Sequence, residues 1–231
     1  LRAFFKKYYA ASNMRLAMIS NIPLPQQESL ARKYFEEIED HPVVLAARKA
    51  RIALINEVDL AWSLKPAGQK WIALTGTNGK TTTVELTASM LRSGGISAIA
   101  CGNVGTTVVE AVTSDNNFET LAIELSSFQI EWSTLPVYEA VAILNLAEDH
   151  IDWHGSFSNY ADAKMKLLNQ SKLAILNLND PEIILRSAGW TGRKVFFGFD
   201  TPQSGEIGLV EELLVDRAFV TTPDAAEVIS E

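Results

Sequence analysis

The stretch Ile72-Ala-Leu-Thr-Gly-Thr-Asn-Gly-Lys-Thr-Thr-Thr83 limits the folds open to this chain more than any other. A short apolar run passes into a turn bearing Gly76 and Gly79, then into Lys80 and the hydroxyls of Thr81 and Thr82 at the start of a helical pattern. Strand, tight turn and helix start make a cradle for phosphate. Backbone N–H groups and the positive helix end face the anion, a lysine reaches its terminal oxygens, and a hydroxyl can hold Mg²⁺. Gly76, Thr77, Asn78, Gly79, Lys80, Thr81 and Thr82 are therefore read as a phosphate-binding loop for a nucleoside triphosphate. Only Thr77 and Asn78 separate the two glycines, so the loop is two residues shorter than the common form, which has four. A chance Gly-Lys-Thr in an ordinary turn is the competing reading, and the flanking strand and helix patterns speak against it.

Such a loop needs a sheet around it. Apolar strand candidates recur at Trp71–Leu74, Ala98–Cys101, Thr120–Glu124, Val141–Leu146, Ala174–Leu178 and Val195–Phe197, with helical patterns between most of them, notably Thr81–Ser93, Thr106–Val112, Ser127–Thr134 and Asn159–Gln170. Strands too apolar to have a wet face, alternating with helices, predict an α/β fold with a mostly parallel sheet flanked by helices. Ligands in such folds gather at the carboxyl ends of strands, which puts the loops 75–80, 102–105, 124–129 and 145–155 on one rim. The tail from about 205 to 231 reads as hairpin strands or an edge extension.

Before the sheet, the chain starts with a basic-aromatic segment, turns at Pro23 and Pro25, and continues as an acidic helix around residues 28–40. A helix over 43–51, a strand over 52–55 and a helical piece over 57–62 follow. Leu64-Lys-Pro-Ala-Gly-Gln-Lys70 has the composition of a linker, predicting a boundary near 65–70 between a partial domain, 1–65, and a nucleotide-binding domain, 66–231. With 231 residues, 47% of them hydrophobic, one full core fits. The first residue is Leu, so a truncated or excised sequence is expected.

The net charge of −8 argues against non-specific nucleic-acid binding. No segment holds eighteen consecutive apolar residues and the start lacks a signal-peptide pattern, so a soluble, cytoplasmic protein that binds neither membrane nor nucleic acid is expected. The single cysteine, Cys101, fits a reducing compartment and reads as a small buried hydrophobe.

The rim carries the candidate chemistry. Glu124 ends an apolar strand, where a carboxylate is costly unless it faces a cation or a wet cleft; a Mg²⁺ shared with Thr81 would account for it. Leu125-Ser-Ser-Phe-Gln129 offers hydroxyls and an amide to a polar substrate, or else a helix cap at Ser126 or Ser127. In Asn145-Leu-Ala-Glu-Asp-His150, His150 could be a metal ligand or a partner for phosphate. Lys164 reads by default as a solvated helix lysine.

Taken together, Thr75–Thr82, Gly102-Asn-Val-Gly105, Glu124-Leu-Ser-Ser-Phe-Gln129, Glu148-Asp-His150 and Tyr160–Lys164 resemble, in order and spacing, the central domain of the Mur ligases of peptidoglycan synthesis. The resemblance spans roughly residues 41–231, with 41–65 similar to the end of that family's uridine-nucleotide-binding domain, and is closest to the members that add D-glutamate. It implies ATP-dependent amide formation: the carboxylate of UDP-N-acetylmuramoyl-L-alanine takes the γ-phosphate, and the amine of D-glutamate displaces phosphate from the acyl phosphate. It further implies that Lys80 contacts the β/γ-phosphates, that Thr81 with Glu124 holds one Mg²⁺, and that His150 with Lys164, carbamylated by CO₂, holds a second. Gly102, Asn103, Ser126 and Gln129 would meet the muramoyl substrate, with a monomer as the working unit. The family's Gly-x-His-Asn segment and amino-acid-binding C-terminal domain are not found before Glu231. Another Mur ligase, a folylpolyglutamate synthase-like ligase and a non-catalytic ATP-binding fragment are the alternatives to weigh.

Overall fold

A computed structural model describes Lys49, residues 55–220 and residues 226–230. The features expected over residues 1–40 lie outside the described residues, as do those over 43–55 apart from Lys49, which is helical, and Ile55. Residues 55–231 form a compact unit of their own.

The unit is built on a nine-stranded sheet with helices between its strands. In chain order the described elements are α1 (Glu57–Leu64), β1 (Lys70–Thr75), α2 (Lys80–Ser93), β2 (Ala98–Gly102), α3 (Val108–Thr113), β3 (Thr120–Glu124), α4 (Ser127–Trp132), β4 (Ala140–Ile143), α5 (Ile151–His154), α6 (Phe157–Met165) and a 3₁₀ turn, Lys166–Gln170. They continue as β5 (Leu173–Asn177), α7 (Pro181–Ser187), β6 (Arg193–Phe197), β7 (Glu206–Val210), β8 (Leu213–Asp216) and β9 (Glu227–Ser230). The strand order is β2-β3-β1-β4-β5-β6-β7-β8-β9. Pairing is parallel from β2 through β7 and antiparallel for β7–β8 and β8–β9. The mostly parallel α/β sheet and the strand-rich tail are as the sequence predicts.

Burial explains the sheet. All five residues of β3 are buried, and Trp71, Leu121, Ile123, Leu125, Ile143 and Leu176 are among the core side chains. At about 25 cal/mol per Å² of apolar surface removed from water, such a two-sided core is what holds parallel strands together. Trp71 is accommodated because its indole Nε1–H donates to Gln69 Oε1 at 2.9 Å. β4 ends at Ile143 rather than at the expected Leu146. The Leu144 N–H still donates to Thr75 O of β1 at 2.9 Å, but the chain then turns to side-chain partners, the Leu146 N–H donating to Asp180 Oδ2 at 2.7 Å.

The expected boundary near 65–70 moves. α1 packs against α3 with Val58, Asp59 and Ala61 fully buried, so the compact unit begins at Ile55 and the Pro66–Gly68 turn lies inside it. Pro and Gly mark a turn but do not say whether what precedes it is packed. Asn56, Glu57 and Asp59 do the fastening. Asn56 Nδ2 donates to Gln129 O at 2.9 Å, Glu57 Oε1 accepts from Val109 N at 2.7 Å, and Asp59 Oδ1 accepts from Ser133 Oγ, Thr134 N and Leu135 N at 3.0, 2.9 and 3.0 Å.

β1 sits between β3 and β4, the strands that come later on its two sides. The chain switches direction across the sheet there, and the crevice outside the carboxyl ends of β1, β3 and β4 is where this architecture holds ligands.

Candidate active site

The loop leaving β1 is tight for a steric reason. A Cβ on Gly76 would stand 3.0 Å from Leu144 Cβ and 3.4 Å from Asn145 N, and Gly79 has φ +80°, a left-handed conformation that suits glycine. Gly79 is the N-cap of α2 and contributes no side-chain hydrogen bond there. The first-turn N–H groups of α2 have no intrahelical acceptors, and the helix dipole adds partial positive charge. Lys80 folds back, its Nζ donating to Thr77 O at 2.9 Å.

Glu124, only 1% exposed, is held by two neutral donors: Thr81 Oγ1 to Oε2 at 2.8 Å and Asn103 Nδ2 to Oε1 at 3.0 Å. A buried carboxylate beside a hydroxyl is a pair of hard oxygen donors, the chemistry that suits Mg²⁺. Among the described residues no three His, Cys, Asp or Glu side chains cluster as a ready metal site. A cation here would therefore draw on the hydroxyl and on oxygens of a bound phosphate. Gly102 has φ +118°, and a Cβ on it would collide with the Glu124 carbonyl. Its small size serves the close approach of β2 to β3.

Ser126 and Gln129 meet each other. The Ser126 Oγ accepts from Gln129 N at 3.2 Å, while Gln129 Oε1 accepts from Ser126 N and from Ser126 Oγ, both at 3.0 Å. This is a reciprocal capping box on α4, the cap that the sequence left open as an alternative. Ser127, buried, lies 2.9 Å from His154 Nε2. Burial holds the His154 imidazole below its ordinary pKa, with the nearby His150, Lys164 and Lys166 acting in the same direction against Glu131. His154 escaped the sequence reading: one histidine in Asp152-Trp-His-Gly155 carries no pattern that separates it from a surface residue.

His150 has φ +51° and a side chain 50% exposed, with Nε2 3.3 Å from Asp149 Oδ2 and its ring 5.0 Å from that of Phe128. Lys164 corrects the default reading of a solvated lysine. It is 2% exposed, and Nζ donates to Gly76 O at 2.9 Å and to Thr75 Oγ1 at 3.2 Å, 4.8 Å from the Tyr160 ring centre. Burial, and then the neighbouring Lys80, push its pKa down to about 7, against the pull of Asp149 and Glu124. A buried amine that is partly neutral at pH 7 is a nucleophile. Periodicity could not find it, because α6 is short and Lys164 enters the cleft beneath the loop and not the core.

The chain has relatives in sequence and in fold. A sequence model of the family described as the Mur ligase middle domain matches residues 74–225. A second, described as the Peptidase M16 inactive domain, matches residues 1–82, of which Lys49 and residues 55–82 are described. The UDP-N-acetylmuramoylalanine--D-glutamate ligase of Thermobifida fusca (strain YX) is 49% identical over 189 residues, covering 80% of this chain and 41% of that protein. The protein of the same name from Leifsonia xyli subsp. xyli (strain CTCB07) is 40% identical over 201 residues, covering 78% and 39%. The chain thus spans about two fifths of the length of these curated relatives. Among solved structures, the MurF ligase of Thermotoga maritima in complex with ADP shares the fold at a TM-score of 0.51 and 17% identity, covering 87% of this chain and 44% of that one. A MurF of Acinetobacter baumannii gives 0.52 and 19%, covering 73% and 38%.

Proposed function

The chain belongs to the Mur ligase middle-domain family, and on that premise we propose that it is the nucleotide-binding part of an ATP-dependent ligase joining D-glutamate to UDP-N-acetylmuramoyl-L-alanine. The observation that carries this reading is the buried Glu124–Thr81 pair set beside an uncapped helix end, with the low-pKa Lys164 under the same loop. A nucleotide-binding module without ligase chemistry has no use for that lysine. The 49% identity to the D-glutamate ligase of T. fusca supports the choice of substrates.

The roles proposed here are those that the family resemblance implies for these positions. The first-turn N–H groups of α2 bind the phosphates, and Lys80 turns from Thr77 O toward their terminal oxygens. Thr81 and Glu124 hold one Mg²⁺, while His150 and a carbamylated Lys164 hold a second. When bound, these cations neutralise charge that builds on the transferring phosphoryl group. Lys164 becomes anionic when its neutral Nζ attacks CO₂: an N–C bond forms, one proton leaves, and the remaining N–H can still donate to Gly76 O. Asn103 orients Glu124. Ser126, with the Gln129 amide nitrogen, meets the acceptor from the first turn of α4, and Gly102 leaves room for its backbone to approach the acceptor's phosphates. Catalysis then consists of holding the acceptor carboxylate in line with the γ-phosphate, after which the amine attacks the activated acyl group.

Residues 1–54, which precede the compact unit, are proposed as part of an acceptor-binding domain, with a monomer in the cytoplasm as the working form. Among the described residues no helix is long and apolar enough to cross a membrane. The test is phosphate release by the protein that carries this segment. It should require the muramoyl acceptor, proceed with D-glutamate, and fail with L-lysine, diaminopimelate or D-alanyl-D-alanine. Efficient turnover with diaminopimelate would transfer the assignment to a sister ligase; acceptor-independent release would reduce it to an ATPase.

A further inference from the structure

We propose that Asn145 is a positioning residue of the phosphate loop, its side-chain amide supplying the bracing that two extra loop residues supply in longer loops. The inference rests on the nucleotide-binding reading above. Asn145 lies outside the loop, just beyond β4, yet makes more hydrogen bonds to it than any loop residue makes to another. Its Oδ1 accepts from Thr77 N at 3.0 Å and from Asn78 N at 2.8 Å, its Nδ2 donates to Asn78 O at 3.0 Å, and its main-chain carbonyl accepts from Thr77 N at 3.0 Å. One amide therefore closes both residues that separate Gly76 from Gly79.

A brace must itself be fixed, and Asn145 is pinned on both sides. Asn177 Nδ2 donates to Leu144 O at 2.8 Å, and Leu146 N donates to Asp180 Oδ2 at 2.7 Å. Both anchors stand at the carboxyl end of β5 and the start of α7, so the short loop is tied through Asn145 to the next strand of the sheet. Gly76 completes the fit, since the loop can approach residues 144 and 145 only without a Cβ there.

Two consequences follow. The N–H groups of Thr77 and Asn78 are spent on Asn145, so phosphate must be bound by the first turn of α2 and Lys80, and the loop presents them already aimed. In addition, Thr77 Oγ1 meets Ala147 N at 3.0 Å, Ala147 O at 3.2 Å and Tyr160 Oη at 3.0 Å. The loop, the segment leading to His150 and the helix carrying Lys164 thus form a single braced body.

The test uses the 231-residue chain, with calorimetric titration of Mg-ATP and of inorganic tripolyphosphate and amide hydrogen exchange by NMR. Asn145→Ala should weaken both ligands on the order of tenfold, the loss of about one net hydrogen bond's worth of preorganisation. The Asn78 amide should lose protection, the Thr77 amide should keep part of it through the Asn145 carbonyl, and the amides of Ile72 and Ile123 in the sheet should not change. Asn145→Asp retains an acceptor for both N–H groups and should restore Asn78 protection. Unchanged ligand affinity in Asn145→Ala overturns the inference, as does unchanged Asn78 exchange. If the wild-type chain binds neither ATP nor tripolyphosphate, the ligase reading fails, and the exchange data alone then decide the role of Asn145.

Discussion

α2 and α4 leave adjacent strands of one sheet at the same edge, and their N-termini carry opposite chemistry. α4 is closed by its own residues, Ser126 and Gln129 satisfying each other's backbone and side-chain groups. α3, starting nearby, is closed in the same way by Thr107 and Glu110. α2 begins with a glycine in the left-handed region and no side-chain cap. All three have a dipole of the same sense and orphan N–H groups in the first turn. The cap residue decides whether those groups are used internally or left for a ligand: serine or threonine with a partner three residues on closes the end, and glycine opens it. Of these three helix starts, only that of α2 is left without a side-chain cap.

The comparison can be broken most severely at the open end. Lys80→Ala should cost roughly hundredfold in ATP affinity, about 3 kcal/mol for a charge-assisted contact, with an unchanged circular dichroism spectrum. ATP affinity by calorimetry equal to wild type would leave α2 with no claim to phosphate. The far, carboxyl end of α4 should respond in stability instead. Asp59→Ala strips three donors at the carboxyl end of α4 of their acceptor and should lower unfolding free energy by about 2–3 kcal/mol in urea titration, while the ATP affinity of the folded protein stays within about twofold.

Between these lies Lys164. Below about pH 7 the amine is charged in both folded and unfolded chains, and its burial penalty is fully felt. Above that value the folded amine is neutral while the unfolded one, with its ordinary value of 10.5, still holds its proton. The unfolded chain then binds more protons, so stability must rise with pH across this window, by at most about 1.4 kcal/mol per unit. Urea titrations at pH 7 and pH 8 should show this rise in wild type and its loss in Lys164→Met. Equal slopes would return Lys164 to an ordinary lysine, and a ¹³C carbamate signal from labelled bicarbonate on the complete enzyme would sharpen its role. Smallest of all, Ser126→Ala should remove about 1 kcal/mol of cap energy and a few degrees of thermal midpoint, leaving ATP binding intact.

The parallel core was legible in the sequence because strands buried on both faces must be continuously apolar, and each of the six runs read as strands forms one. The shortened loop was legible because glycine and lysine at fixed spacing have few other uses. What escaped was set by distant partners. Nothing local in Glu57-Val-Asp59 says that its carboxylates accept from backbone N–H groups some fifty and seventy-five residues onward, so α1 was assigned to the wrong side of a boundary. Nothing local says that Lys164 slides beneath Gly76. α7 could have been found: Asp180 followed by Pro181 is a helix N-cap with proline at the first position, and both act that way in the structure.

The fastening of α1 bears on how the chain reaches its fold. The partners of Asp59 lie 74 to 76 residues further along. A chain made at about 5–20 residues per second therefore carries this helix for several seconds before its anchors exist. Val58 and Ala61, fully buried in the finished protein, remain uncovered at least until α3 has been made, and Asp59 stays without its donors until Leu135. The first element of the unit to leave the ribosome is thus among the last to be secured, and a pause in synthesis between β1 and Leu135 would prolong its exposure to chaperones and proteases.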